Sequence, residues 1–570
     1  MTRRLAILWC ATAVIGPLVL GVPGSSGAAG GAKAMRVWVE TAMVKIRPTA
    51  RPRPSSAAEL RAARNEYEAF QIAIRAGDHA LTGLRVRIED FVGPDGARLA
   101  ADQATTIYRE AFIDLRHPSG PEGSAGRWPD ALIPDVDRYA GERRNAFPFN
   151  LAAGTLGAVW VEIRVPAQTR AGVYSSRAVV SAQGVEPVVV PVRLTVWNFE
   201  IPATSSLKTA FPAWHGALVR GHYGVDWVDT DVQIGLIKVY SRALLRHRLS
   251  NDTLIYPAPP LHEGRIDWAQ FDRDWGPFLD GTAEPGGARV TAVRLQDYGH
   301  EGDRRYLLEY QRHFEAKGWL DRLFYYAADE PTADTFPELA RRARAFHQAA
   351  QKIPVLVTTS LTPALADAVN IWVPPINYVD DKPAAAAKHR FPRRAAYDER
   401  VRRGESLWWY QSCMTHGCSG TADRYYTGWP NYLIDGAPIA HRIMSWLSWV
   451  YRVSGELYFH TTYAYEQGDP WDDQYHFTGN GDGTLFYPGT PARIGGRTHV
   501  PIESIRLKLI RDGLEDYEYL VALQRAGGQA EAQRLAGKLV RKPYEWERNP
   551  ATLMATRAQL AERIEQARAR

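Results

Sequence analysis

The chain is poor in cysteine, in net charge and in long apolar runs, and each shortage removes a class of answer. Three cysteines in 570 residues are too few for a disulfide-built scaffold, and two of them with His416 are too few for a closed zinc site. The 69 basic and 63 acidic residues leave a formal net charge of only +6. No Lys/Arg-rich stripe occurs locally, so there is no electrostatic footprint for nucleic acid. Beyond the first two dozen residues no segment is long and apolar enough to span a bilayer. Internal repeats are absent too, and low-complexity sequence is confined to the start. What is present is ordinary globular material: 45% apolar, 23% charged and 11% aromatic residues, which excludes disorder as the main state. A chain of this length exceeds one compact core, so two or three domains are expected. The 18 Trp and 27 Tyr offer flat amphipathic faces, which suit sugar stacking and large cores alike.

The N terminus reads Arg3-Arg4, an apolar run over residues 5–22, then a small-residue stretch ending at Ala34. This is the layout of a secretory signal over residues 1–34, with a mature start between about Ala28 and Met35. An uncleaved anchor is the alternative, but Gly16 and Pro17 interrupt the run and the small-residue tail favours cleavage. The expected location is secreted, extracellular or in the cell envelope, with no membrane span in the mature chain. In an oxidising compartment the C-x4-C pair Cys413 and Cys418 reads as a disulfide closing one small loop.

From Met35 to Pro202 apolar residues alternate with polar ones, as in Val159, Val161, Ile163, Val165 and in Val190, Val192, Leu194, Val196. Period two between Gly, Pro and Asp turns predicts half-buried strands and a β-sandwich over 35–202. Past the Pro202 linker the pattern changes to short apolar strands and amphipathic helices. Candidate strands fall at 207–211, 253–256, 290–295, 323–328, 354–359, 371–374, 406–410 and 455–460. Eight strands with helices between them predict a TIM-type (β/α)8 barrel over 203–525, followed by C-terminal helices over 526–570. The expected fold is therefore multidomain, all-β followed by α/β with a helical end.

In a barrel the reactive groups sit where strands end. Strand 323–328 runs straight into Asp329-Glu330-Pro331, two adjacent carboxylates; the same residues also read as the cap and first turn of a helix. Neighbouring carboxylates suit neither of the standard glycosidase spacings, which need two groups on opposite sides of the sugar. They suit a substrate-assisted reaction. The sugar's own 2-acetamido oxygen attacks the anomeric carbon, one carboxylate holds the acetamide N–H, and its neighbour protonates the leaving oxygen and then activates water.

Other candidates surround this pair. In WWYQS, alternation puts Trp409 and Gln411 on one face and Trp408 and Tyr410 on the other; one Trp floors a sugar subsite and the other belongs to the core. His416 either hydrogen-bonds substrate or is structural. Tyr458, within the last candidate strand, is a further substrate-binding candidate. GNGDG (479–483) lacks the ligand series of a calcium loop; it reads either as a glycine-rich loop carrying Asn480 and Asp482 to the barrel mouth or as a mere turn. RNEYEAFQ (64–71) and RDGLEDYEYL (511–520) read as structural.

A strand ending in Asp-Glu-Pro behind an N-terminal β-sandwich resembles glycoside hydrolase family 123 and its bacterial relative, domain of unknown function 4091. The resemblance extends over RNEYEAFQ, RWPDALIP (127–134), VPAQTRAGVY (165–174), YYAADEP (325–331), WWYQSCMTHGC (408–418), WPNYLIDG (429–436), GNGDGTLFYPG (479–489) and SIRLKLIRDGLEDYEYL (504–520). It implies a retaining β-N-acetylgalactosaminidase-like mechanism, with Asp329 orienting the acetamide and Glu330 as acid/base. The leading expectation is thus an exported glycosidase removing a β-linked N-acetylhexosamine from a glycan or glycoconjugate, without metal or organic cofactor. The alternatives are a hydrolase of another glycan with the same dyad, and a non-catalytic glycan-binding envelope protein.

Overall fold

The computed structural model describes residues 34–382, 391–418 and 424–569. Residues 1–33 of the proposed signal lie outside the described residues.

The N-terminal part is built from two β-sheets over one apolar cluster. The first is antiparallel, in the order Met35–Thr41, Glu66–Ala76, Leu156–Val165, Thr105–Leu115, Gly126–Pro134. The second holds Ala58–Arg64, Val185–Glu200, Gly172–Ala182, Leu81–Ile88 and Phe149–Leu151, with its first two strands parallel. Their burial differs in a telling way. Gly172–Ala182 shows water on one face, whereas nearly every residue of Leu156–Val165 is buried. Val159, Val161, Ile163 and Val165 face the cluster between the sheets, while Trp160 on the other face joins the core of the C-terminal part. The first sheet continues into chain from far downstream: Val500–Ser504 pairs with Gly126–Pro134, and Phe486–Gly489 pairs with Val500–Ser504.

The C-terminal α/β part is a nearly closed barrel of seven parallel strands, in spatial order Lys208–Ala210, Gly455–Leu457, Ser406–Tyr410, Ile371–Trp372, Val355–Val357, Leu323–Ala328, Val293–Arg294. Seven of the eight expected strands are therefore present. The expected strand at 253–256 is not. Its place in the ring is taken by residues 250–252, where Phe211 N–H donates to the Ser250 carbonyl at 2.9 Å and Arg294 N–H to the Asp252 carbonyl at 2.8 Å. Polar side chains replace the ladder here. Thr209 Oγ1 accepts from Ser250 N–H, and Asn251 Oδ1 accepts from the N–H groups of Ala213 and Thr253. Side-chain acceptors that satisfy the backbone remove the need for a regular strand.

Inside the ring, period two decides what each strand contributes. Phe324 and Trp408 meet edge to face at 5.8 Å as an apolar plug with Leu356, Val373 and Leu457. A Cβ at Gly455 would sit 2.3 Å from the Trp408 ring, so only glycine leaves room for that indole. Two residues further along the same faces stand Tyr326 and Tyr410, the first polar groups above the plug.

Candidate active site

Above the plug lies a cavity of about 380 Å³, lined by Trp214, Arg294, Tyr326, Asp329, Glu330, Thr358, Tyr410, the Cys413–Cys418 loop, Tyr458, Phe459, Phe477 and Asp482. This volume is in the range of small-molecule sites.

The two carboxylates are held by hydroxyls. Tyr326 OH donates to Asp329 Oδ1 at 2.8 Å, and Thr358 Oγ1 donates to the same oxygen at 2.9 Å. Tyr410 OH donates to Glu330 Oε1. Burial, then the adjoining carboxylate, pushes each tyrosine above the usual phenol range, so both remain protonated donors. Glu330 sits at φ +41°, in the left-handed region that a side chain rarely adopts. Its N–H donates to Thr358 Oγ1 at 2.7 Å, which helps hold this turn. Neither carboxylate caps a helix, because the next helix begins only at Phe336. The two side chains are exposed to the cavity, and no Lys or Arg forms an ion pair with them among the described residues.

Arg294 closes one side. Its guanidinium lies 4.0 Å over the Tyr326 ring and 5.2 Å from that of Trp214, and it is fixed by Asp252 at 3.1 Å. On the opposite side Tyr458 OH donates to Asp482 Oδ1 at 3.3 Å and accepts from Gly483 N–H at 2.7 Å. Burial pushes the Asp482 carboxyl up to about 7. The loop carrying it is clamped by the fully buried Arg506, which donates to the carbonyls of Tyr432, Gly481 and Thr484 and pairs with Asp130 at 2.7 Å.

The structure brings Asp329, Glu330, Tyr410, Tyr458 and Asp482 to one cavity and joins Cys413 to Cys418 by a disulfide in its wall. Three other candidates do not reach it. Trp409 is buried in the shell between barrel and helices, with its indole N–H on Ser448 Oγ at 3.1 Å, while Trp408 belongs to the plug; neither floors a sugar subsite. Asn480 turns away to the His117 carbonyl and Ser119 Oγ, both at 2.8 Å. His416 is buried behind the wall, 3.5 Å from Asp482 Oδ2, with burial lowering it to about 4. Sequence reasoning missed Trp214, Arg294, Tyr326, Thr358, Phe459 and Phe477. The first five lie at or within four residues of barrel-strand ends, so the rule that located the dyad, applied to every strand, would have found them. Among the described residues no group of three or more His, Cys, Asp or Glu is arranged to hold a metal, and no helix is long and apolar enough to cross a membrane.

Comparison with known proteins agrees with this architecture. Residues 39–182 match the glycoside hydrolase 123 N-terminal domain and residues 297–523 the glycoside hydrolase 123 catalytic domain. The solved structure of a family 123 glycoside hydrolase from Clostridium perfringens, described in connection with glycolipid glycan hydrolysis, is 13% identical. It superposes with a TM-score of 0.67 over 94% of this chain and 99% of that one. At that identity the likeness speaks for the fold alone. A family 39 glycoside hydrolase from Bacteroides cellulosilyticus, 9% identical over 80% of this chain and 81% of its own, reaches a TM-score of only 0.32. Among curated proteins none matches the chain.

Proposed function

The chain belongs to glycoside hydrolase family 123, and from that premise we propose that it is an exported glycosidase releasing a β-linked N-acetylhexosamine, N-acetylgalactosamine in particular, by substrate-assisted retaining catalysis. One observation carries the reading: Asp329 and Glu330 are sequence neighbours on one side of the cavity, both held by neutral hydroxyls alone. A protein nucleophile and its acid stand on opposite sides of a sugar. Two carboxylates on the same side divide a different task.

With both Asp329 hydroxyl donors on Oδ1, Oδ2 is left to accept the acetamide N–H of the substrate. This turns the acetamido oxygen beneath C1 and stabilises positive charge as that oxygen attacks. The C1–O bond to the leaving group breaks as Glu330 delivers its proton to the departing oxygen. Water then attacks C1 of the cyclic oxazolinium and gives a proton back to Glu330, so configuration is retained and the enzyme is restored. The Clostridium protein is described in connection with glycolipid glycan hydrolysis, and a glycan or glycoconjugate is the substrate class proposed for this chain. Export rests on the leader at residues 1–34, and mass spectrometry of the mature N terminus tests it.

The deciding experiment compares aryl β-glycosides with and without the 2-acetamido group. Turnover of the acetamido sugars alone, with inhibition by a thiazoline analogue of the cyclic intermediate well below KM, is expected. Efficient hydrolysis of plain β-galactosides or β-glucosides with no thiazoline inhibition overturns the mechanism.

A further inference from the structure

The two carboxylates reach the same cavity against the rule of the strand, and two backbone irregularities bring them there. Side chains alternate along Leu323–Ala328: Tyr325 stacks on Phe346 of the outer helix Phe336–Ala349, while Phe324 and Tyr326 point into the ring. Continued without a break, that alternation sends Asp329 outward. It is broken. Tyr326 pairs with Leu356, but Ala328 rather than Ala327 pairs with Val357, so Ala327 is the extra residue of a β-bulge. The bulge sets Asp329 beside Thr358, and both face inward. Alternation would now turn Glu330 away from the cavity, and its φ of +41° turns it back.

Both irregularities meet at one hydroxyl. Thr358, the residue after strand Val355–Val357, is 4% exposed and lines the cavity. Its Oγ1 accepts from the Glu330 N–H at 2.7 Å and donates to Asp329 Oδ1 at 2.9 Å. A threonine hydroxyl carries a single proton, and with the N–H on an acceptor site that proton is free for the carboxylate. Backbone in a sparsely populated region persists only where its surroundings over-determine it, and at Glu330 this acceptor does so. Tyr326 and Tyr410 each hold one member of the dyad, whereas Thr358 holds both.

We propose that Thr358 is a positioning residue for the reaction: its one hydroxyl sets the carboxylate of Asp329 and the inward turn of Glu330 together, acting through the dyad. The inference rests on the substrate-assisted reading, which gives the two carboxylates their separate tasks. Its consequence is that the two tasks fail together. With Oδ1 held by Thr358 and Tyr326, Oδ2 is aimed at the acetamide N–H. Without Thr358 the carboxylate turns about a single donor, and the acetamido oxygen loses its line to C1 whatever the leaving group. Without an acceptor for its N–H, Glu330 relaxes from the left-handed region and carries the acid away from the leaving oxygen.

The test compares Thr358→Ser, Thr358→Ala and Thr358→Val in the full-length enzyme. Ser and Ala differ by the hydroxyl alone, so their ratio is free of the cost of the missing methyl. Thr358→Ser is expected to keep about a third or more of kcat, and the other two to lose roughly a hundredfold in kcat with KM within about threefold of wild type. The loss should be equal on natural glycans and on nitrophenyl glycosides, because both need the acetamide step. Inhibition by the thiazoline analogue, which reports on Asp329 with no leaving group present, should weaken by a similar factor in Thr358→Ala and recover in Thr358→Ser. Equal impairment of Ser and Ala, or an unimpaired Thr358→Ala, overturns the assignment. A loss confined to natural glycans overturns it too, since Thr358 then acts through Glu330 alone. If the hydroxyl-free chains fail to fold, by circular dichroism and melting, Thr358 serves the fold and the assignment falls. Wild-type enzyme that cleaves plain β-glycosides and ignores the thiazoline sinks the reading beneath. A wild type that obeys that reading beside an unimpaired Thr358→Ala sinks this inference alone.

Discussion

Two groups of carboxylates in this molecule look alike in the sequence and behave oppositely in the fold. Along the seam between the N-terminal sheet and the helix Ile505–Arg525, Asp516 and Glu162 are each locked to two cations. Asp516 meets Arg442 at 2.7 and 2.8 Å and Arg557 at 2.8 Å, and Glu162 meets Arg511 at 2.6 Å and Lys508 at 2.9 Å. Against the burial that pushes it up, Arg511 and Lys508 hold Glu162 down at about 2. Such a group is an anion at every working pH and serves as mortar. In the barrel mouth, Asp329 and Glu330 have only hydroxyls for company. A hydroxyl steadies a carboxylate without pairing its charge, which leaves both open to the cavity for the separate roles proposed above. The identity of the partner, more than burial or local density of acids, separates structural from chemical carboxylates.

The largest test breaks the pair in the mouth. Glu330→Gln is expected to lower cleavage of natural glycans by about a thousandfold, while sparing part of the first step on nitrophenyl glycosides, whose leaving group needs no proton. Asp329→Asn should impair both substrate kinds. Equal loss on both for Glu330→Gln, with normal folding, refutes the division of roles. The matching cut in the seam is Asp516→Asn, which takes the nearest carboxylate from Arg442, leaving it Asp512 at 3.6 Å, and one of three from Arg557. Denaturant unfolding should show a loss of about 3–5 kcal/mol, while kcat of the folded fraction stays at the wild-type value. A fall in kcat without a fall in stability erases the distinction.

Glu110 sharpens the contrast, because neither of its oxygens meets any partner and burial alone pushes it up to about 8. The sign follows from proton uptake. Between its usual 4.5 and about 8 the folded chain holds a proton that the unfolded chain has lost. Stability from this group is therefore full below pH 4.5 and declines by about 1.4 kcal/mol per pH unit as pH rises to 8. Glu110→Gln should remove that slope, so its melting temperature gains on wild type steadily from pH 5 to pH 8; parallel curves refute it. The smallest effect is expected from Tyr410→Phe. Glu330 loses its one protein donor, and kcat should fall roughly tenfold with little change in KM.

The dyad was legible because a strand of alternating and apolar residues runs directly into it, and position at a strand end is a local property. The disulfide pair was legible for a similar reason. What escaped was set by distant contacts. Trp408 and Trp409 are neighbours of equal character, and only the ring of other strands assigns one to the plug and the other to the shell. The segment 253–256 has a strand's composition, yet Asn251 and Thr209 satisfy the backbone around it first. RNEYEAFQ and RDGLEDYEYL were rightly structural. Their union in one network, with Tyr519 OH donating to Glu66 at 2.7 Å across 453 residues of sequence, is visible only in three dimensions.

The completion of the first sheet by Val500–Ser504 and Phe486–Gly489 has a consequence in time. The chain emerges from its N terminus, and Gly126–Pro134 appears some 350 residues before the strand that covers its edge. At roughly 5–20 residues per second of synthesis that edge waits on the order of tens of seconds, presenting unpaired N–H and C=O groups to any passing strand. Nascent chains stopped short of residue 486 should therefore associate with one another or recruit chaperones, and release should come only once the strands at 486–504 are out. The sheet made first is the one finished last.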